Sequence, residues 1–187
     1  MIEEELREAC TAGQWERAAT FAICSYGPEL LGYAGAILRD PAAADDVFSA
    51  VCERMWAALP KFGWQSTFRT WAYAITRNAC ISYLRGVRPS TALTTASVAA
   101  VAQEVRSQTA TYLRTATKDR LATIRSTLDP DDQTLLILRV DRELPWRDIA
   151  QVFEAEGAGD DVLARRASAL RKRFERLKLQ LREQLDR

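Results

Sequence analysis

Twice in this chain an aspartate precedes a proline at the head of an apolar pattern of helical period, at Asp40-Pro41 and at Asp129-Pro130. Proline at the first helical position loses no hydrogen bond and carries a helical φ, and acids at a helix start face the positive end of the macrodipole. Each step therefore marks a helix beginning. Before the first, Leu30, Leu31, Ala34, Ile37 and Leu38 recur at helical spacing; after it, Val47, Val51, Met55 and Leu59 follow at four-residue steps, with Asp45 and Asp46 expected in the first turn. After the second, Asp131 and Asp132 join the start, and Leu135, Leu136, Leu138 and Val140 fill a helix ending near Glu143. The pattern is all-α.

The remaining stretches fit the same class. Residues 3–24 read as one or two short helices with Leu6, Trp15, Ala18, Ala19 and Phe21 as core contacts, and Tyr26-Gly27-Pro28 reads as a break. Pro60 ends the helix over 42–58. Phe62-Gly63-Trp64-Gln65 then forms a loop with two exposed aromatics, before Ser66 or Thr67 caps the next helix. On that helix Trp71, Ile75 and Ala79 fall near Phe68, while Thr70, Arg77, Asn78, Ile81 and Arg85 fall on other sides. From Val87 to about Ser107 the chain is rich in Ser, Thr and Ala, which reads as a linker, partly helical at best. Helical pattern resumes near Tyr112 and runs to Leu128 through Leu113, Leu121 and Ile124. A short helix in Leu144–Glu156, a Gly-Ala-Gly breaker and a long final helix follow, the last with Leu163, Leu170, Phe174, Leu177 and Leu181 in one stripe and Arg165, Lys172 and Arg176 opposite. The expected organisation is two small helical domains, 1–86 and 112–187, joined by a flexible linker over 87–111.

A net charge of +1 conceals strong segregation. Residues 1–60 carry ten acids against four arginines, 61–90 five bases and no acid, and 160–187 nine bases against five acids. Clustered cations are the footprint of polyphosphate binding, whereas the acidic front half suits a basic protein partner. The four cysteines stand far apart and histidine is absent, which argues against a zinc site and for unpaired buried thiols. No histidine, glycine-rich phosphate loop or paired cysteines occur, so the residues imply neither an enzyme nor a cofactor. No apolar run reaches the roughly 18 residues of a membrane span, and the N-terminus is acidic where a signal peptide is basic, so the expected location is cytoplasmic.

Two segments carry chemistry. Between Lys61 and Pro89 lie Arg69, Arg77, Arg85 and Arg88, no acid, and Phe62, Trp64, Phe68, Trp71 and Tyr73. Rings to stack on bases and guanidinium groups to meet phosphates suit single-stranded nucleic acid, although aromatics at helical spacing also serve simply as core. From Ala164 to Arg182 eight bases stand against Glu175 alone, on a helix that follows a short helix and a turn. That is a helix-turn-helix pattern, whose second helix enters the major groove; a basic surface helix is the plainer reading.

The blocks DPAAADDVFSAVCERMWAALPKFGWQSTFRTWAYAITRNACISYLR and LDPDDQTLLILRVDRELPWRDIAQVF with ALRKRFERLKLQLRE resemble regions 2 and 4 of the extracytoplasmic-function (ECF) sigma factors of the sigma-70 superfamily. The resemblance implies a promoter-specificity subunit of bacterial RNA polymerase with no catalysis of its own. It implies that Asp45, Asp46, Phe48, Glu53 and Trp56 dock on the clamp helices of the largest polymerase subunit. It implies that Phe62, Trp64, Gln65, Ser66, Thr67, Arg69, Trp71, Arg77, Asn78 and Arg85 capture the melted minus-ten element, with one base flipped into a pocket. Arg165, Arg171, Lys172, Arg173 and Arg176 are implied to read the minus-thirty-five element, with the beta flap as a further polymerase contact and the linker passing toward the active centre. The interval between Ile149-Ala150 and Ala169-Leu170 is longer than the family's turn; if GDDVLARR extends the recognition helix backward, the base-contacting turn begins nearer Arg165 than Arg171. An anti-sigma factor is a further partner the resemblance allows. Two other readings stay open: a helix-turn-helix repressor binding duplex DNA without polymerase, and a helical scaffold whose basic faces meet acidic proteins.

Overall fold

The structure is a computed structural model and describes residues 2–88, 96–116, 127–154 and 156–185. All regular elements among them are helical. They are α1 (Ile2–Thr11), α2 (Trp15–Leu38), α3 (Pro41–Ala58), a 3-10 turn (Leu59–Lys61), α4 (Phe68–Leu84), α5 (Ala96–Ala116), α6 (Pro130–Leu136), a π-type turn (Ile137–Asp141), α7 (Trp146–Phe153) and α8 (Asp160–Leu185). They fall into two compact units, Met1–Thr115 and Ala116–Arg187. No helix among the described residues is long and apolar enough to cross a membrane.

In the first unit, α2 runs through the expected break. Pro28 lies inside the helix, where its missing amide deprives the Cys24 carbonyl of a donor. The helix persists because its two halves share one buried stripe: Ala18, Ala19, Ala22, Ile23 and Tyr26 before the proline, Leu30, Leu31, Tyr33, Ala34 and Ile37 after it. Tertiary burial outweighs local propensity here. Trp15, by contrast, is 40% exposed, and Phe21 is half-buried. Arg39 takes the left-handed conformation that closes α2, and Asp40 accepts hydrogen bonds from the Ala42 and Ala43 amides with Pro41 in the first position of α3, as the sequence predicts. Val47, Val51, Met55 and Leu59 are all buried. Helices α1, α3 and α4 pack against α2, α3 also packs on α4, and Tyr33 of α2 meets Tyr73 of α4 edge-on at 5.6 Å.

The segment read as a linker differs from its expectation. From Ala96 onward it is a helix within the first unit, with Val98, Ala102, Val105 and Thr109 buried in a stripe at steps of four, three and four. Its approach to α2 is close. A Cβ placed on Gly27 would lie 2.9 Å from Val105 Cγ1 and 3.2 Å from Phe48 Cζ, so Gly27 leaves the slot that Val105 fills. The unit boundary thus falls at 115/116 rather than 111/112, and most of the helix expected over Tyr112–Leu128 lies outside the described residues.

In the second unit, Asp129 caps α6 by accepting from the Asp131 and Asp132 amides. The helix expected to end near Glu143 runs to Asp141. From Ile137 onward it widens to the π type, and Val140 is 48% exposed rather than core. Helices α6 and α7 pack on α8 through Leu135, Leu138, Ile149, Val152, Leu163, Leu170, Phe174 and Leu177, all buried; Leu181, at the end of the predicted stripe, is half-buried. The Arg173 guanidinium ties α8 to the head of α6, donating to Asp132 at 2.5 Å and to both Asp129 oxygens at 3.0 Å.

Burial works to raise the Asp129 carboxyl, but the Asp132 and Asp131 amides and the Arg173 charge outweigh it and hold the group below its ordinary value of 3.8. A depressed carboxyl stabilises the fold fully above its unfolded value and loses that contribution as pH falls through the folded one. Amide hydrogen exchange over 130–136 should therefore be constant from pH 7 to about 5, after correction for intrinsic rates, and lose protection below about pH 4. Asp129→Asn, which keeps a capping oxygen, should flatten that acid limb.

Candidate nucleic-acid interface

The acid-free segment is organised at the start of α4, and the group that organises it lies more than sixty residues upstream. Glu3 of α1 places its carboxylate on the first turn of α4, accepting from the Phe68 amide at 2.9 Å, the Arg69 amide at 3.0 Å and the Tyr26 hydroxyl at 2.9 Å. Thr67 accepts from the Thr70 amide, which assigns the cap to Thr67 rather than Ser66. Three orphan amides of the helix start are thereby satisfied, and a negative charge sits where the macrodipole favours it. Burial first, and then the Glu3 hydrogen bond, push the Tyr26 hydroxyl well above its usual range, so it stays a donor. Leu6, Ala9 and Cys10 bury the inner face of α1 and hold Glu3 in place.

The loop before α4 rests on an aromatic cluster. Phe62 packs against Trp64 at 4.9 Å, Trp71 at 4.8 Å and Phe68 at 5.8 Å between centroids, and Tyr26 stacks on Phe68. Of the two aromatics expected to be exposed, Phe62 is buried; Trp71, a candidate DNA contact, is buried as well. Both hold the loop from beneath rather than facing a base. Trp64 is half-buried and adopts φ +53, a conformation that costs a non-glycine residue about 1–2 kcal/mol. Its ring is held by Phe62 and by the Arg7 guanidinium, 5.2 Å from its centroid. Around it, Gln65 and Thr67 are exposed and Ser66 half-buried.

Along α4 the outward side comprises Arg77, Asn78, Ile81, Ser82 and Arg85, with Asn78, Ser82 and Arg85 exposed and no acid among them. Arg69 is committed elsewhere. Its Nε and Nη2 donate to the two oxygens of Glu29 at 2.8 Å each, a fork that raises its pKa and turns it from a phosphate ligand into a tie between α4 and α2.

On α3, Asp45 and Asp46 are exposed, and Glu53 and Trp56 half-buried. Phe48 is fully buried and belongs to the core, so it offers no docking surface. The two aspartates lie in the second turn, not the first, where the dipole's effect has largely faded. Capping therefore does not account for them.

In the second unit α7 and α8 are joined by a short turn through Gly157, at φ +82. A single helix begins at Asp160, which places Arg165 in its second turn, as the longer interval suggested. Arg165, Lys172 and Arg176 share one exposed face and form no ion pair among the described residues. Arg171 is exposed, with its guanidinium 5.5 Å from the Trp146 ring, which Arg139 also approaches. Arg173, expected to read bases, is instead engaged by Asp129, Asp131 and Asp132. Arg166 pairs with Glu154 at 3.1 Å and Arg147 with Asp160.

The cysteines are free: Cys10, Cys52 and Cys80 are buried, while Cys24 is exposed, contrary to the expectation for all four. Burial pushes Cys52 and Cys80 up to about 12, which makes them poor nucleophiles.

Residues 23–89 match the family model of sigma-70 region 2, a span that covers α3, the aromatic loop and α4 but not α1. The match supports a sigma-70 family member and, with it, a role in RNA polymerase binding and promoter melting; sigma-70 proteins are initiation factors and not enzymes. No curated protein matches the chain. The geometry at the matched segment's edge sets one expectation: Glu3→Ala, which leaves the Phe68 and Arg69 amides without their acceptor, should lower the first unit's stability by about 1–3 kcal/mol in urea unfolding. Glu3→Gln, which keeps one acceptor oxygen, should lose less.

Proposed function

We propose that the chain is a sigma factor of the ECF type, acting in the cytoplasm on core RNA polymerase and a two-part promoter. The observation that carries this reading is the division of the sigma-70 region 2 span into an acidic helix surface on α3 and an acid-free, arginine-bearing surface on α4 beside a preorganised aromatic loop. Asp45, Asp46, Glu53 and Trp56 meet the clamp helices of the largest subunit, where exposed carboxylates attract a basic partner and speed encounter. The loop then receives the melted strand. Trp64 offers its ring, Gln65, Ser66 and Thr67 offer polar groups to a flipped base, and Arg77, Asn78 and Arg85 follow the backbone. Phe62 and Trp71 hold that loop, and Arg69 holds α4 on α2.

The second unit acts as a region 4 domain. Helix α7 and the turn present α8 to the minus-thirty-five element, with Arg165, Arg171, Lys172 and Arg176 reaching bases or phosphates. Arg173 supports this helix from behind. The beta flap, and an anti-sigma factor that would cover these faces, belong to the same reading.

Core polymerase with the purified chain, assayed for open-complex formation and transcript starts on genomic DNA, tests the proposal. Promoter-specific initiation is the expected result; tight duplex binding without any gain in initiation would establish the repressor reading instead. Trp64→Ala and Asn78→Ala should each cut opening by about 5-fold or more, as loss of a base stack or contact worth about 1–3 kcal/mol implies, while barely changing duplex binding. Arg171→Ala should weaken upstream-element binding and leave opening of a premelted template intact.

A further inference from the structure

We propose that α5 is an internal latch on the docking helix α3, and that core polymerase binds fully only after α5 has left it. The proposal rests on the reading of α3 as the polymerase-docking helix and adds how access to that face is regulated. Ser49 stands one turn after Asp45 and one turn before Glu53, in the middle of the acidic docking stripe. There the Arg106 guanidinium of α5 donates through Nη1 to Ser49 Oγ at 2.5 Å, while its Nη2 donates to Gln103 at 2.8 Å and is thereby oriented. Helix α5 thus plants a cation among the carboxylates that a basic partner helix would seek. The same chemistry cannot be satisfied twice, so α5 and a cationic polymerase surface compete for one stripe.

The attachment of α5 has the character of something removable. From Ala96 to Thr109 its buried stripe is Val98, Ala102, Val105 and Thr109, all small, whereas α1 to α4 are joined through Leu6, Tyr33, Phe48, Phe68 and Tyr73. Among the described residues Thr109 Oγ1 is buried without a hydrogen-bond partner, a cost that release of the helix removes. At Gly27 the fit is close, where Val105 fills the space that any side chain would occupy. Over 96–109 the helix is held by one slot, one arginine and little apolar volume, which sets an equilibrium between docked and released forms, and the apparent affinity for polymerase is the intrinsic affinity multiplied by the released fraction.

The slot supplies the test. A Cβ at position 27 lies 2.9 and 3.2 Å from the two γ-carbons of Val105, which brings the two β-carbons within disulfide reach. In the full-length chain carrying Cys24→Ser, Gly27→Cys and Val105→Cys, the 27–105 bridge is confirmed by peptide mapping and binding to core RNA polymerase is measured oxidised and reduced. The oxidised form should bind at least about 10-fold more weakly, with recovery on reduction, and Arg106→Ala, a part-exposed substitution that spares the core, should bind about 2- to 5-fold more tightly than the natural chain. Equal affinity of the oxidised and reduced forms would overturn the latch and leave the docking reading standing. Should the bridge not form, Arg106→Ala decides alone, and unchanged or weaker binding rejects the proposal. Failure of the natural chain to bind core polymerase at all would remove the docking reading, and the latch with it.

Discussion

The carboxylate of Glu3 on the first turn of α4 is the contact on which the rest of the first unit's working surface depends. A helix start buried among aromatic rings carries amides that water cannot reach, and each unsatisfied one is costly. Glu3 meets two of them and Thr67 a third, while Tyr26 fixes the carboxylate from the other side. With α4 anchored, Phe62 and Trp71 can support the loop, and Trp64 can be held in a left-handed conformation it would not adopt alone. The family match begins at residue 23, so this anchor is supplied from outside the matched span.

Positive charge in this protein is divided between two tasks that composition does not separate. Arg69, Arg166 and Arg173 are tied to carboxylates, joining α4 to α2, α8 to the end of α7, and α8 to the head of α6. Arg165, Lys172, Arg176 and Arg85 face solvent, where a phosphate can be met without breaking an existing pair. A forked guanidinium with two good acceptors gives up more than it gains by turning to DNA. The electrostatic footprint is therefore smaller than the count of bases suggests, and more directional.

Helix α2 and helix α5 show one principle from opposite sides. Pro28 marks a break in sequence, yet α2 continues because both halves are buried on the same neighbours. The Ser/Thr/Ala-rich stretch over 96–109 carries no apolar residue larger than valine, yet it lies as a helix on α2 and α3 because Gly27 leaves a slot for Val105. Local propensity is a weak prior in each case, and the geometry of the neighbour decides.

The sequence alone determined the class of fold and the placement of most helices, because helical periodicity and the two Asp-Pro starts are local signals. Asp40, Asp129, the Val47–Leu59 stripe and the Leu163–Leu177 stripe lie where it put them. It also marked the segment that matters, since an absence of acids over thirty residues is legible without coordinates. Only the tertiary structure decided which of the marked residues face outward. Phe48, Phe62 and Trp71 were indistinguishable in sequence from Trp56 and Trp64, and Arg173 from Arg171, because each pair shares chemistry and differs only in what packs or pairs against it. Glu3 and Gly27 carried no signal of their own. Their roles come from atoms brought together across sixty-five and seventy-eight residues of chain, and such contacts exist only once the helices have packed.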